Sequence, residues 1–147
     1  MPRHPDPDYS VPPPQRAGEE LHPGAHRSAA EFAYPPPSLH QDTAEQLVKD
    51  YRLRSKVKFG KVKGTNKADY DWINDVINLR KSYSSVKEFI ITVLHEIDHA
   101  NDRKTMGAKK YEREYQAAGD IAVNKGRDFH DDNAFEEKAE RWARKEY

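Results

Sequence analysis

The chain of 147 residues contains no cysteine and no long apolar run. The absence of cysteine excludes disulfide bonds, thiolate metal sites and cysteine catalysis, so a metal ion can be bound only through nitrogen and oxygen atoms. No stretch approaches the ~18 consecutive apolar residues of a membrane span, and the start of the chain lacks an apolar signal core. Because 25 basic residues balance 25 acidic ones, no net charge draws the chain to nucleic acid or membrane. These absences predict a soluble, cytoplasmic protein.

Proline is confined to the first quarter of the chain. All ten prolines lie at or before Pro37, whereas the first lysine is Lys49. The first forty residues lack periodic apolar positions, so they cannot bury enough surface to offset the entropy cost of ordering. We predict a disordered proline-rich tail over residues 1–40 and one folded domain over residues 41–147. The tail is either a solvated linker or a polyproline II segment that binds a partner protein.

A run of basic residues follows the tail, with Asp50 as its single acid. The basic residues are Lys49, Arg52, Arg54, Lys56, Lys58, Lys61, Lys63 and Lys67. This run indicates either a nucleic-acid surface or a solvated helix face that continues into a lysine-protected edge strand. Only Tyr51 and Phe59 offer rings for base stacking, so the second interpretation is favoured.

The residues after the tail predict a small sheet next to helices. A capping box at residues 42–45 predicts a first helix that ends near Leu53. Alternating apolar and polar residues predict a short strand at residues 57–59 and a hairpin over residues 70–79, with its turn at Asn74-Asp75. We therefore predict an α+β fold in which a small antiparallel sheet packs on helices.

A longer helix is predicted after the hairpin. The capping box Ser85-Val86-Lys87-Glu88 indicates that this helix begins near Val86, and Gly107 provides a stop. Apolar residues then recur at spacings of three and four, at Phe89, Ile90, Val93, Leu94 and Ile97. This spacing gives one broad apolar face, so the helix is expected to pack on the core.

Residues 95 to 99 read His-Glu-Ile-Asp-His, the H-E-x-x-H pattern. Two histidines four residues apart on a helix point the same way, so His95 and His99 can bind one zinc ion. Glu96 is adjacent to the first histidine, where its carboxylate can take a proton from a water molecule activated by the metal. The pattern therefore predicts a zinc site with a general base beside it.

A catalytic zinc site needs a third protein ligand. A helix is predicted to end before Gly126, and a further capping box at residues 133–136 opens a last helix with an apolar stripe. Glu136 lies in its first turn, and we predict that it is the third ligand. Five residues compete for that role: His130, Asp131, Asp132, Glu137 and Glu140. The alternative for Glu136 is a role in capping alone.

The two motifs together resemble those of a known class of enzymes. His95-Glu96-x-x-His99 on a core helix, followed by Glu136-x-x-Ala139, is similar to the ImmA/IrrE-type and phage-encoded zinc metallopeptidases of the zincin class. The resemblance covers residues 57–147. It departs at Asp98, where that family has glycine and the more distant SprT-like peptidases have a small residue.

The resemblance implies a function as well as a fold. It implies a zincin-like domain that binds Zn²⁺ through His95, His99 and Glu136 and hydrolyses protein or peptide substrates with Glu96 as general base. It also implies that the strand at residues 77–79 forms the rim of the cleft; the alternative from the sequence is that these residues only hold the hairpin to its neighbour. For a phage-encoded protein the location would be the host cytoplasm or the virion.

Two matters stay open at the level of sequence. The oxyanion of the reaction needs a hydrogen-bond donor, and the candidates are Tyr111, Tyr115, His130 and Arg141. The rival class of function is a non-catalytic module with the same fold that binds a partner, or a phage structural or accessory protein. The presence of Glu96 argues against the rival, because a zinc scaffold without hydrolysis needs no base there.

Asp98 is expected to face water rather than to orient a ligand.

Overall fold

The computed structural model describes residues 12–14 and 37–147 of the chain, and this part has an α+β fold. Its elements, in chain order, are helix α1 (Pro37–Asp50), strands β1 (Lys56–Phe59), β2 (Ala68–Asp71) and β3 (Val76–Leu79), and helices α2 (Val86–Met106), α3 (Ala108–Asn124) and α4 (Ala134–Glu146). The predicted α+β class is thus confirmed. Within these described ranges, no helix has the length and apolar character that a membrane crossing requires.

The sheet is mixed, with the strand order β1-β3-β2. Strands β2 and β3 form the predicted hairpin, but β1 pairs with β3 in parallel, so the prediction of a wholly antiparallel sheet is wrong. The reason lies in burial. Val76, Ile77 and Leu79 are all buried, and a strand this apolar takes the centre of the sheet.

The central position of β3 overturns a second prediction. Residues 77–79 cannot form the rim of a cleft, because β3 has a neighbouring strand on each side. The two edges are β1 and β2. On β1, Lys56 and Lys58 are exposed and alternate with half-buried Val57 and Phe59, as expected for an edge strand protected by lysines.

Helix α1 begins and ends earlier than predicted. It begins at Pro37 instead of at the capping box, and it ends at Asp50 instead of near Leu53. Proline is favoured in the first turn of a helix, because its fixed φ suits the helix and its missing N–H would have no partner there. The His40 ring is buried against the Phe89 ring, with centroids 4.5 Å apart. The folded part therefore extends into the stretch assigned to the tail.

A short piece of the proline-rich segment lies on the folded domain. The side-chain amide of Asn101 donates a hydrogen bond to the carbonyl of Pro12 at 3.1 Å, and Pro14 is buried. The rest of the predicted tail, residues 1–11 and 15–36, lies outside the described residues.

Helix α2 is the central element of the domain and has the predicted boundaries. The Ser85 hydroxyl accepts a hydrogen bond from the backbone N–H of Glu88 at 3.1 Å, and Gly107 ends the helix with a φ of 87°. The five predicted apolar residues of its first half are all buried. Strand β2 and helices α1, α3 and α4 all pack against α2, so the H-E-x-x-H residues lie on the most enclosed helix of the domain.

Helix α3 ends before Gly126 and α4 begins after Asn133, as predicted, but Asn133 caps α4 without the predicted capping box, because the Glu136 carboxylate contacts the histidines. The Asn133 side chain accepts a hydrogen bond from the N–H of Phe135 at 2.8 Å and donates one to the carbonyl of Tyr115 at 3.1 Å. Asn133 therefore begins α4 and ties it to α3 at the same point. The loop between the two helices packs the ring of Phe129 directly on Gly119.

We expect Gly119→Ala to destabilise the protein by about 1–3 kcal/mol through overpacking. A Cβ at this position would lie 2.2 Å from the Phe129 ring, which also contacts the Tyr115 ring. In an unobstructed helix, the same change stabilises by about 0.5–1 kcal/mol. Urea unfolding measures the difference, and the double variant Gly119→Ala/Phe129→Ala serves as the control, since it lacks the clashing ring. A Gly119→Ala protein as stable as the wild type would contradict this packing.

Candidate metal centre

Helices α2 and α4 bring together three side chains that can hold a metal ion. His95 and His99 lie one turn apart on α2, with ring centroids 4.9 Å apart. The Nε2 atoms of both rings reach the same oxygen, Oε1 of Glu136, at 2.7 Å and 2.9 Å. One ligand atom from each of the three residues falls within 4.8 Å of the others. The three residues predicted as ligands therefore converge on one point.

His95 lies between two carboxylates. Its Nε2 donates to Glu136, and its Nδ1 donates to Oε1 of Glu140 at 2.9 Å. Burial lowers the pKa of His95, but the hydrogen bonds to Glu136 and Glu140 outweigh it and raise the pKa to about 10. Arg144 in turn donates to the other oxygen of Glu140 at 2.8 Å. Glu140 is thus held where it fixes the orientation of the His95 ring.

The carboxylate of Glu136 is surrounded by donors. Burial raises its pKa, but the charge of His99 and hydrogen bonds from both histidines hold the pKa well below its usual value. Burial lowers the pKa of His99, but the negative charge of Glu136 outweighs burial, so the pKa of His99 lies above its usual value. The Tyr115 hydroxyl donates to Oε2 of Glu136 at 2.5 Å, which leaves Oε1 to face the histidines.

This arrangement fits a zinc ion. Two imidazole nitrogens and one carboxylate oxygen are a ligand set found in catalytic zinc sites. In this structure, hydrogen bonds join the three atoms. Zinc takes the place of the protons in these bonds when it binds, because its ligands must be deprotonated. The two Nε2–Oε1 distances, 2.7 Å and 2.9 Å, are shorter than the roughly 3.3 Å between ligand atoms of a tetrahedral zinc site, so each would have to open by about half an ångström when the metal binds.

Glu96 lies next to this centre. Its side chain is buried, and its Oε2 has no hydrogen bond among the described residues. Burial raises the pKa of its carboxyl. A cavity of about 760 Å³ extends from Glu96 and His95 toward the surface. An unpaired buried carboxyl group costs stability, and a group with a perturbed pKa beside a cavity is a candidate for a functional role.

The competitors for the third ligand lie elsewhere or act differently. Glu140 binds the far nitrogen of His95, and Glu137 and Asp131 are exposed. The Asp132 carboxylate accepts from the N–H of Asp128 at 2.8 Å, which is a contact within the loop. His130 is the closest rival, since its Nε2 lies 3.4 Å from Oε2 of Glu136 and its side chain is 48% exposed.

The structure also separates the four candidate oxyanion donors. Tyr111 is buried, and the hydroxyl of Tyr115 is engaged by Glu136. Arg141 is exposed on the wall of the large cavity. His130 is the candidate with a ring nitrogen at the mouth of the centre. Its loop is fixed by Asp128, whose Oδ1 accepts the N–H groups of His130 and Asp131 at 2.9 Å and 2.7 Å.

A buried cluster of charges behind the centre was not predicted. Asp98 does not face water: its carboxylate is buried and lies 3.0 Å from the ammonium of Lys138, which also contacts Asp102 at 2.8 Å. Lys138 lies two residues after Glu136 on α4, so this cluster ties α4 to α2 beside the ligands. The i, i+4 spacing of Asp98 and Asp102 is the one sequence signal that a shared cation lies opposite.

We expect Asp102→Asn to change how stability depends on pH. Burial and then the charge of Asp98 raise the pKa of Asp102 to about 6, with Lys138 acting in the opposite direction. A folded-state pKa above the unfolded value of about 3.9 means that the folded protein binds the proton more tightly. As the pH rises from about 4 to about 6, the free energy of unfolding of the wild type should therefore decrease by roughly 1–3 kcal/mol more than that of Asp102→Asn. Urea unfolding of the two metal-free proteins across this range measures it, and parallel curves would refute it.

Comparisons with known proteins add no information about the function of this chain. The chain matches no family model, no curated protein and no solved structure. Inferences about its function therefore depend on the residues and on their geometry.

Proposed function

We propose that the protein is a zinc-dependent peptidase in which His95, His99 and Glu136 hold the metal and Glu96 is the general base. The observation that carries the proposal is the convergence of both histidine Nε2 atoms on one oxygen of Glu136, with the unpaired carboxyl group of Glu96 beside them. Bound zinc would polarise the scissile carbonyl and make water a stronger nucleophile. The sequence resemblance to ImmA/IrrE-type metallopeptidases supports the same proposal.

The residues of the chain would share the remaining work. The carboxylate of Glu96 accepts the proton from the attacking water and later passes it to the leaving amine, so that each peptide bond is broken with no net change at the carboxyl group. Tyr115 holds Glu136, and Glu140 holds His95, so the ligand atoms are positioned before a metal arrives. His130, at the mouth of the centre, can donate a hydrogen bond to the oxygen of the tetrahedral intermediate.

The free edge of strand β2 supports the proposal that the substrate is a polypeptide. Ala68 lines the large cavity at the point where β2 begins, and β2 pairs with β3 on one side only. An extended chain can add to such an edge through backbone hydrogen bonds, which gives binding with weak sequence preference. A non-catalytic module with this fold would gain nothing from the unpaired carboxyl group of Glu96, because its burial is costly.

The proposal is tested with two substrates and a chelator. Purified protein is incubated with unfolded casein and with plasmid DNA, each with and without a zinc chelator. We expect cleavage of casein that the chelator abolishes, and intact plasmid. Chelator-sensitive nicking of the plasmid with casein untouched would reverse the assignment.

A further inference from the structure

A second, smaller cavity lies beside the metal centre. Its volume is about 170 Å³, and its floor includes His99 and Glu136. Four aromatic side chains contribute to its walls: Tyr70, Trp72, Tyr111 and Tyr115. The cavity therefore opens directly onto the atoms proposed to react.

Two of the three tyrosine hydroxyls of the walls are engaged by carboxylates. The Tyr70 hydroxyl donates to Asp75 at 2.6 Å, and the Tyr115 hydroxyl donates to Glu136 at 2.5 Å. The rings also support one another, since the Tyr111 centroid lies 6.2 Å from that of Tyr70 and 5.9 Å from that of Tyr115. Because these contacts fix the rings in place, the cavity is formed before a ligand enters.

The size of the cavity limits its occupant, and the charge of its lining disfavours an acidic one. An apolar cavity of about 150 Å³ accommodates a benzene molecule, so 170 Å³ matches one phenylalanine or leucine side chain. The lining includes four acidic residues, and no lysine or arginine of the described ranges belongs to it; the four are Asp69, Glu96, Glu112 and Glu136. An acidic side chain would meet like charge there, while an apolar side chain would exchange water for aromatic surface.

The position of the cavity determines which residue of a substrate would place its side chain there. Glu96, His130 and Glu136 line both the small cavity and the large one, so they mark the boundary between the two. Along the edge strand, Ala68 lines both cavities and Tyr70 lines the small one. An extended chain on the β2 edge that crosses this boundary would direct a side chain next to the reacting bond into the small cavity.

We propose that the small cavity is a specificity pocket that selects peptides with phenylalanine or leucine at one of the two residues flanking the cleaved bond. This inference depends on the proposed peptidase function for its place in a reaction, but the binding preference itself does not require cleavage. Burial of such a side chain corresponds to a preference of about 10- to 100-fold over glycine.

The test uses a series of synthetic decapeptides that differ at one central residue: Phe, Leu, Gly, Arg or Asp. Their affinity for the zinc-loaded Glu96→Gln protein is measured by calorimetry, and their cleavage by the wild type is followed by mass spectrometry. We expect the Phe and Leu peptides to bind about 10- to 100-fold more tightly than the Gly peptide. Gln116→Trp, which places a ring at the exposed lining of the cavity, should reduce this ratio to within about threefold. The matched control is Asn124→Trp, which changes an exposed amide on the same helix outside the cavity and should leave the ratio unchanged.

The outcomes separate the pocket from the peptidase. Equal binding of the Phe and Gly peptides, or a preference for Arg or Asp, would overturn the pocket. Preferential binding of Phe and Leu without cleavage by the wild type would retain the pocket and refute the proposed peptidase function. Cleavage of all the peptides without preference would refute the pocket and retain the proposed peptidase function.

Discussion

Glu96→Gln should reduce peptide cleavage by about 10²- to 10⁴-fold while the protein keeps its metal. The amide has the shape of the carboxyl group but cannot accept the proton of the attacking water. Glu96 is buried beside the ligands and has no hydrogen-bond partner at Oε2, so the change breaks no contact of that atom. The measurement is the initial rate of cleavage at equal zinc content.

The matched control for this variant is Glu88→Gln. Glu88 lies on the same helix and on the wall of the same large cavity, but it pairs with Lys67 and not with the ligands. Its substitution should leave the cleavage rate within about threefold of the wild type, since a surface ion pair contributes little. A Glu96→Gln protein with the full wild-type rate would remove Glu96 from the mechanism.

Glu136→Ala should lose zinc, whereas Glu140→Ala should only weaken its binding. Oε1 of Glu136 is the point on which both histidines converge, so its removal takes away one of three ligands. Glu140 contacts the far nitrogen of His95, and loss of such an orienting partner typically lowers metal affinity about 10- to 100-fold. We therefore expect the loss in Glu136→Ala to exceed that range, as measured by competition with a chromophoric chelator.

Glu137→Ala is the control for both variants, because Glu137 is exposed and adjacent in sequence to the ligand. It should bind zinc with the wild-type affinity. Full zinc affinity in Glu136→Ala, with loss in Glu140→Ala or in His130→Ala, would identify a different third ligand.

The local features of the fold and site could be predicted from sequence. The spacing of His95 and His99 and the cap at Ser85 depend on helix geometry within a few residues, and the structure has both. Glu136 was predicted from its place in the first turn of a later helix, and it does face the two histidines. Local chemistry is sufficient for the two histidines and the cap, whereas the position of Glu136 also depends on the docking of α4 on α2.

The features that depend on packing between distant segments were not predictable. An alternation of apolar residues indicates a strand but not its neighbour, which is why the parallel pairing of β1 with β3 and the central place of residues 77–79 were missed. Lys138 looks like an ordinary surface residue of an amphipathic helix. Only the docking of α4 on α2 reveals that Lys138 pairs with both Asp98 and Asp102 in the interior.

The start of α1 was misplaced for a related reason. The capping box at residues 42–45 is a valid local signal, yet the helix continues through it toward Pro37. Pro37 suits a first helical turn, and His40 stabilises this turn by packing on Phe89 from α2, a contact that no local signal reveals.

The central claim is tested most directly by a zinc titration of the metal-free protein, with casein cleavage as the readout. The account predicts that activity rises linearly and reaches its plateau at about one zinc per chain, and that Glu96→Gln stays inactive across the same titration. Cleavage by the metal-free wild type at the zinc-loaded rate, or equal activity in Glu96→Gln, would contradict the account.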